Sequence, residues 1–238
     1  MNKIKVSAVS YTNTKPFVYG IIHSGIINQI DLSLDIPSTC AIKLIDNQVD
    51  IGLVPVAALL HITDYHIVSD YCIGANGPVN SVFIFSEMPI EKIRSIRLDE
   101  QSRTSNNLAL VLMKNYWKVS PSVVLGEADA FVQIGDRTFG KVDQYPFVYD
   151  LSGEWKKFTG LPFAFAVWAA NKKIKDEFIY EFNSALEFGL DKREHILSQL
   201  PEYSHFNLED YLMNRLDYNL DELKRQAISK FLELVKTL

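Results

Sequence analysis

Short apolar runs alternate with polar loops along most of this chain, and their spacing sets the expected elements. Residues 3–9 alternate and then turn apolar, which predicts a strand; the polar loop Ser10-Tyr11-Thr12-Asn13-Thr14-Lys15 follows, and Pro16 suits the first turn of a helix. Residues 31–36 predict a second strand. Pro37-Ser38 then opens a helix with Cys40, Ala41, Leu44 and Ile45 on its apolar face. A third strand over 50–54 stops at Pro55, residues 73–78 form a turn cluster, and 79–85 read as a strand that Glu87-Met88-Pro89 breaks. A short strand over 95–98 leads through Leu98-Asp99-Glu100-Gln101-Ser102-Arg103-Thr104-Ser105-Asn106-Asn107 into a helix that reaches about Trp117. A buried strand over 128–134 ends in Gly135-Asp136, another strand covers 146–151, and a short helix starts at Ser152. The aromatic run 159–169 is expected to carry the chain back as a strand. Beyond Asn171 two helical faces follow: Phe178, Phe182, Ala185, Leu186 and Gly189, then Leu223, Ala227, Phe231, Leu234 and Leu238. Asn207 and Asn219, each with an acidic residue three positions on, mark expected helix starts.

Strands alternating with helices predict an α/β chain whose sheets are mostly parallel. Two lobes are expected, residues 1–86 with 171–238 forming the larger and 87–170 the smaller, with a ligand cleft between them and the C-terminal helices closing the first lobe. Ligands of such sheets bind at the carboxyl ends of the strands. Five polar loops fall at that rim: 10–14, Ser38-Thr39, Asn80-Ser81, 102–106 and Gly135-Asp136. Of these, 102–106 suits an anion best. It places hydroxyls and one Arg at a helix start, where unpaired N–H groups and the macrodipole add positive potential, although plain N-capping explains the same residues. Asp136 either binds a hydroxyl or caps the helix after Gly135.

Composition narrows the chemistry. The 238 residues are 47% apolar and 22% charged with a formal net charge of -5, so a nucleic-acid or anionic-membrane partner is not expected. Residues 1–7 hold no apolar stretch suited to a signal peptide and no later stretch spans a bilayer, which points to the cytoplasm. In that compartment Cys40 and Cys72 are expected as free buried thiols. His23, His61, His66, His195 and His205 are scattered without metal-ligand spacing, so no metal is expected. There is no glycine-rich nucleotide loop and no Gly-x-Ser-x-Gly elbow.

Six ordered blocks complete the reading: Ser10 through Pro16, Asp50 through Pro55, Val79-Asn80-Ser81-Val82, Leu98 through Ser105, Ala128-Asp129-Ala130 with Ile134-Gly135-Asp136, and Tyr149-Asp150-Leu151 through Trp155 to Thr159-Gly160-Leu161-Pro162-Phe163-Ala164-Phe165-Ala166-Val167-Trp168. Together they resemble the chorismate dehydratases of the futalosine route to menaquinone. The resemblance runs from about residue 4 to 170 and implies a two-lobed periplasmic-binding-protein-like fold of type II without cofactor or metal. It implies that the substrate is a small dicarboxylate, chorismate, which loses water to give 3-[(1-carboxyvinyl)oxy]benzoate. It also matches Asn13 to the residue assigned as catalytic base. A neutral amide is a very weak base, so we expect Asn13 to orient the substrate while the ligand's own enolpyruvyl carboxylate takes the proton. Ser102, Arg103, Thr104 and Ser105 are expected to hold one carboxylate and Asn80 with Ser81 the other, assisted by Ser10, Thr39, Gly135 and Asp136. On that reading Thr104→Ala weakens binding by about tenfold. A non-catalytic carboxylate-binding protein of the same fold is the alternative. A sister lyase of the pathway, which by resemblance uses a histidine base, fits less well because no histidine falls in the rim loops.

Overall fold

In the computed structural model, which describes residues 3–238, ten strands form two five-stranded sheets. The first four, β1 (Ile4–Val9), β2 (Ile30–Asp35), β3 (Ile51–Pro55) and β4 (His66–Ala75), lie in one sheet. The next five, β5 (Val82–Ser86), β6 (Ser95–Arg97), β7 (Ser122–Val124), β8 (Ala130–Ile134) and β9 (Phe147–Asp150), make the other, and β10 (Phe163–Ala170) returns to the first. The strand orders are β2-β1-β3-β10-β4 and β7-β6-β8-β5-β9. Both sheets are mixed rather than mostly parallel. β1 runs parallel to β2 and β3, and β6 to β7 and β8, whereas β10 and β5, the strands that follow the crossings, pair antiparallel to both neighbours. A strand entering directly from the other lobe arrives without a crossover helix and so runs against its neighbours.

The crossings lie earlier than the sequence suggested. β5 belongs to the second sheet, so the chain changes lobe in 76–81 and not near Glu87, and it returns in 160–162 before β10. The expected strand over 79–85 is shortened for a local reason. The Asp150 carboxylate accepts the Val79 and Asn80 N–H groups at 2.9 and 2.7 Å, and Asn80 takes a left-handed φ of 60°, which removes these residues from the ladder. The start of the expected first lobe, residues 1–2, lies outside the described residues.

Eight α-helices flank the sheets: α1 (Lys15–Ile22), α2 (Pro37–Ile45), α3 (Arg103–Leu112), α4 (Leu151–Thr159), α5 (Asp176–Asp191), α6 (Arg193–Leu197), α7 (Leu208–Asp210) and α8 (Glu222–Val235). α3 and α7 continue as π turns, Met113–Trp117 and Tyr211–Arg215. Pro16 and Pro37 sit in the first turns of α1 and α2, where a missing N–H costs nothing. Asn207 caps α7 as expected, but Asp221, not Asn219, caps α8, accepting the Lys224 N–H at 2.8 Å. α1 and α5 touch backbone to backbone: a Cβ on Gly20 would sit 1.9 Å from the Ala185 carbonyl oxygen, and one on Gly189 would sit 1.9 Å from that of Pro16.

One continuous apolar core runs through both lobes, from Val6 and Trp168 to Ile84 and Ile96. α5 covers the first sheet, with Phe182 edge-on to Trp168 at 5.0 Å. α8 does more than close the first lobe, because it packs on β10 and α3, with Phe231 against Trp155 and Phe163. Cys40 and Cys72 are free and buried, and burial pushes their thiols up to about 11 and about 12. Among the described residues no helix is long and apolar enough to cross a membrane, and no cluster of three or more His, Cys, Asp or Glu could hold a metal ion.

Candidate functional site

The carboxyl ends of β1, β3, β6 and β8 and the 76–81 crossing meet at a cleft of about 530 Å³, including its open mouth. Its polar wall consists of Tyr11, Asn13 and Thr14 from the first lobe and Ser81, Ser102 and Ser105 from the second. Apolar groups that include Pro37, Pro55, Ile73, Phe165 and Leu216 make the remainder. A mostly apolar concavity with a few convergent polar groups is the usual form of a small-molecule site.

Each polar group is held from behind. The 3-10 turn Thr12–Thr14 exposes Asn13, whose Oδ1 accepts from Thr14 Oγ1 at 3.1 Å and whose backbone oxygen accepts from the Tyr218 hydroxyl at 2.9 Å. The Asn13 amide nitrogen is thereby the end left for a ligand. At α3, Ser102 is the N-cap: its Oγ accepts the Ser105 N–H at 3.1 Å and donates to Ser105 Oγ at 2.8 Å. Capping and cleft lining therefore belong to the same residues, and the N–H groups of Arg103 and Thr104 in that first turn have no intrahelical acceptor. Ser81 is set by Asp150, which anchors the two residues before it and also caps α4 through the Gly153 N–H at 2.9 Å. Burial pushes the Asp150 carboxyl up to about 6, with the N–H groups of Gly153, Asn80 and Val79 opposing.

Other predicted residues tie the lobes together instead. Thr104 lies in the interface, where its Oγ1 accepts the Ala57 N–H at 3.1 Å, and it is absent from the cleft wall. The Asp136 carboxylate accepts from Thr12 Oγ1 at 2.8 Å and from the Thr12 N–H at 3.1 Å, so it neither caps the turn after Gly135 nor faces the cleft. Gly135 does line the cleft; at φ +65° a Cβ there would meet the Tyr11 ring at 2.9 Å. Ser10 is exposed and donates its N–H to Asp35, Thr39 sits in the first turn of α2, and the Asn80 side chain is not on the wall. The Arg103 side chain is also off the wall, and it forms no ion pair among the described residues.

A family model described as menaquinone biosynthesis matches residues 4–237. The chain belongs to that family. Its fold is shared more widely. Protein AF1704 from Archaeoglobus fulgidus superposes with a TM-score of 0.70 at 17% identity, covering 99% of this chain and 97% of that one. A Candida albicans gene product exhibiting the generic periplasmic binding protein structural fold gives 0.62 at 16%, with 100% and 91% covered. The periplasmic aliphatic sulphonate binding protein of Escherichia coli gives 0.60 at 16%, with 98% and 92% covered. At these identities the likeness concerns the fold. This member of the menaquinone biosynthesis family thus has the two-lobed α/β architecture of periplasmic binding proteins.

Several residues that build the site were not singled out from the sequence. Tyr11 reaches across to Gln101 through its hydroxyl, and burial pushes its phenol up while Arg137 opposes. Arg137 itself holds the buried Asp99 carboxylate at 2.6 and 2.8 Å, which joins the loops after β6 and β8. Tyr11, Asp99 and Asp150 all lie inside the six blocks quoted above, which is the signal that pointed to them. Tyr218 had none, being 205 residues from the Asn13 carbonyl it binds.

Proposed function

We propose that this member of the menaquinone biosynthesis family is a chorismate dehydratase, removing water from chorismate to give 3-[(1-carboxyvinyl)oxy]benzoate. The observation that carries the reading is the neutral cleft wall: hydroxyls, one oriented amide and the open first turn of α3, with no Lys, Arg, His, Asp or Glu among the described residues that line it. The reaction asks for little more. Loss of the ring hydroxyl and of the proton on the carbon bearing the enolpyruvyl ether makes the ring aromatic, so holding the substrate and easing departure of hydroxide supply much of the catalysis.

In this reading one carboxylate rests on the Ser105 hydroxyl, which Ser102 orients from behind by donating to it at 2.8 Å, and on the first N–H groups of α3, where charge-assisted bonds contribute roughly 1.5–3 kcal/mol each. Ser81 holds the other carboxylate, and the Asn13 amide N–H fixes the ring against Phe165 and Pro55. With no carboxylate, imidazole or amine on the wall among the described residues, and with the Tyr11 phenol kept protonated by burial, the substrate's enolpyruvyl carboxylate is the base. Incubation of the protein with chorismate, followed by ultraviolet absorbance, tests the proposal: an aromatic product is expected, and unchanged chorismate at high enzyme concentration defeats it. Binding of chorismate without turnover favours the alternative, a non-catalytic carboxylate-binding protein, to which the likeness to a sulphonate-binding protein lends support.

A further inference from the structure

The C-terminal segment contributes a group that the cleft described above leaves unused. Tyr211 opens the second π turn, in which the Leu216 N–H donates to the Tyr211 carbonyl at 3.1 Å. Wide turns of this kind recur at functional sites, since they shift side chains off regular helical spacing. Here the turn places Leu216 on the cleft wall and leaves Tyr211 only 1% exposed. The ring is gripped by Phe139 and Phe206, each 5.4 Å away between centroids. Its hydroxyl is buried and has no hydrogen-bond partner among the described residues. It faces the Ser81 hydroxyl and the Asn13 amide from behind the wall.

We propose that Tyr211 sets the hydrogen-bond polarity of the cleft wall: its O–H donates to Ser81 Oγ, which directs the Ser81 proton into the cleft toward a ligand oxygen. Donor counting leads to this assignment. Asn13 Oδ1 already accepts from Thr14 Oγ1 at 3.1 Å, and the amide nitrogen of Asn13 has only donors to offer. A serine hydroxyl both accepts and donates, so a donor behind it fixes the direction in which its own proton points. A buried phenol without a partner is costly, and a small shift onto Ser81 when a ligand tightens the wall relieves that cost. Burial also raises the phenol further above its ordinary value, so the group stays a donor wherever the protein is folded. Ser81 then becomes a dedicated donor to an anionic oxygen, in a wall that lacks fixed positive charge. Tyr211 acts through Ser81 and is a positioning residue.

The inference rests on the dehydratase reading only for the identity of the ligand. Tyr211→Phe deletes the hydroxyl and keeps the ring between Phe139 and Phe206. Four proteins are compared: the parent, Tyr211→Phe, Ser81→Ala and the double variant. With chorismate we expect Tyr211→Phe to lower kcat/KM by about tenfold, the size of one lost hydrogen bond, and to have no further effect once Ser81 is Ala. Additive losses, or an unchanged Tyr211→Phe protein, overturn the proposal. Should the parent leave chorismate untouched, the dehydratase reading fails by itself. The rise in Tm that added chorismate gives the same four proteins then decides the inference: equal losses of that rise for the singles and the double support the Tyr211–Ser81 bond, and additive losses, or a full rise in Tyr211→Phe, overturn it.

Discussion

Asn13 is fixed at its two oxygens, by Thr14 at the side chain and Tyr218 at the backbone, while its amide N–H groups lie between the Tyr211 hydroxyl behind and the cleft in front. That arrangement suits an orienting donor. Asn13→Asp replaces the donor with an anion facing an anionic substrate, so turnover is expected to fall by about a hundredfold or more; a retained rate with a new acidic limb in the pH profile would show a base at this position. Asp150 gives a second expectation. Its carboxyl is raised to about 6 by burial, so between the unfolded value near 3.8 and about 6 the native state holds a proton that the unfolded chain has lost. Its contribution to stability is therefore fully present below the unfolded value and disappears as pH rises through about 6. Asp150→Asn should flatten the Tm profile across pH 4–6, and an unchanged slope would contradict the assignment. Residue roles were partly legible. Ser102, Ser105, Ser81, Asn13 and Gly135 lie on the wall as the polar loops implied, whereas Thr104 and Asp136 turned inward to the facing lobe. Composition and spacing identify a polar loop but not which of its side chains another element captures.

At the scale of elements, hydrophobic period located eight of the ten strands and the main helices, but it missed β4, whose last residues fall in the expected turn cluster 73–78, and the three-residue β7, too short to show a face. The first crossing escaped, since 79–81 read as strand until a carboxylate some 70 residues away claims the Val79 and Asn80 N–H groups. The segment after α7 escaped for the same reason: its π turn and its docking along β4 depend on distant partners. There the Cys72 N–H donates to the Tyr218 carbonyl at 2.7 Å and the Asp217 N–H to Gly74 at 2.8 Å, which covers the outer edge of β4. α8 secures this segment through the fully buried Lys224, whose Nζ donates to Asp217 Oδ2 at 2.5 Å and to the Asn219 carbonyl at 2.6 Å. Lys224→Met keeps the buried stem but strands these acceptors. Because Asp217 remains partly solvated, a loss of roughly 3 kcal/mol is expected in denaturant unfolding, at the lower end for a broken buried pair. A loss within about 0.5 kcal/mol, typical of a surface change, would show that the segment is held by other means.

At the scale of the molecule, the lobes are clasped across the cleft by Thr12 with Asp136, by Ala57 with Thr104, and by the Tyr11 hydroxyl with Gln101. Removing one clasp should loosen the closed arrangement. Thr104→Ala leaves the buried Ala57 N–H without a partner, at about 1–3 kcal/mol against closure. Combined with Asp136→Ala it is expected to enlarge the radius of gyration in small-angle scattering and to restore it when ligand is added; an unchanged radius would show that the apolar core alone holds the lobes. A two-lobed plan was legible in the alternation of strands and helices, but the lobe boundaries were not.

The position of β10 also bears on how the protein is made. All eight of its residues are buried, and it lies between β3 and β4, which do not otherwise meet. A nascent chain that has emerged as far as Pro162 holds every strand of the second sheet, but in the first it has only two fragments with open edges. Chains usually fold their N-terminal unit first during synthesis. The topology favours the reverse order here: the inserted lobe can form its whole sheet before β10 emerges, with α3 and Trp155 still awaiting α8, while the first sheet waits for Phe163–Ala170 to join its halves.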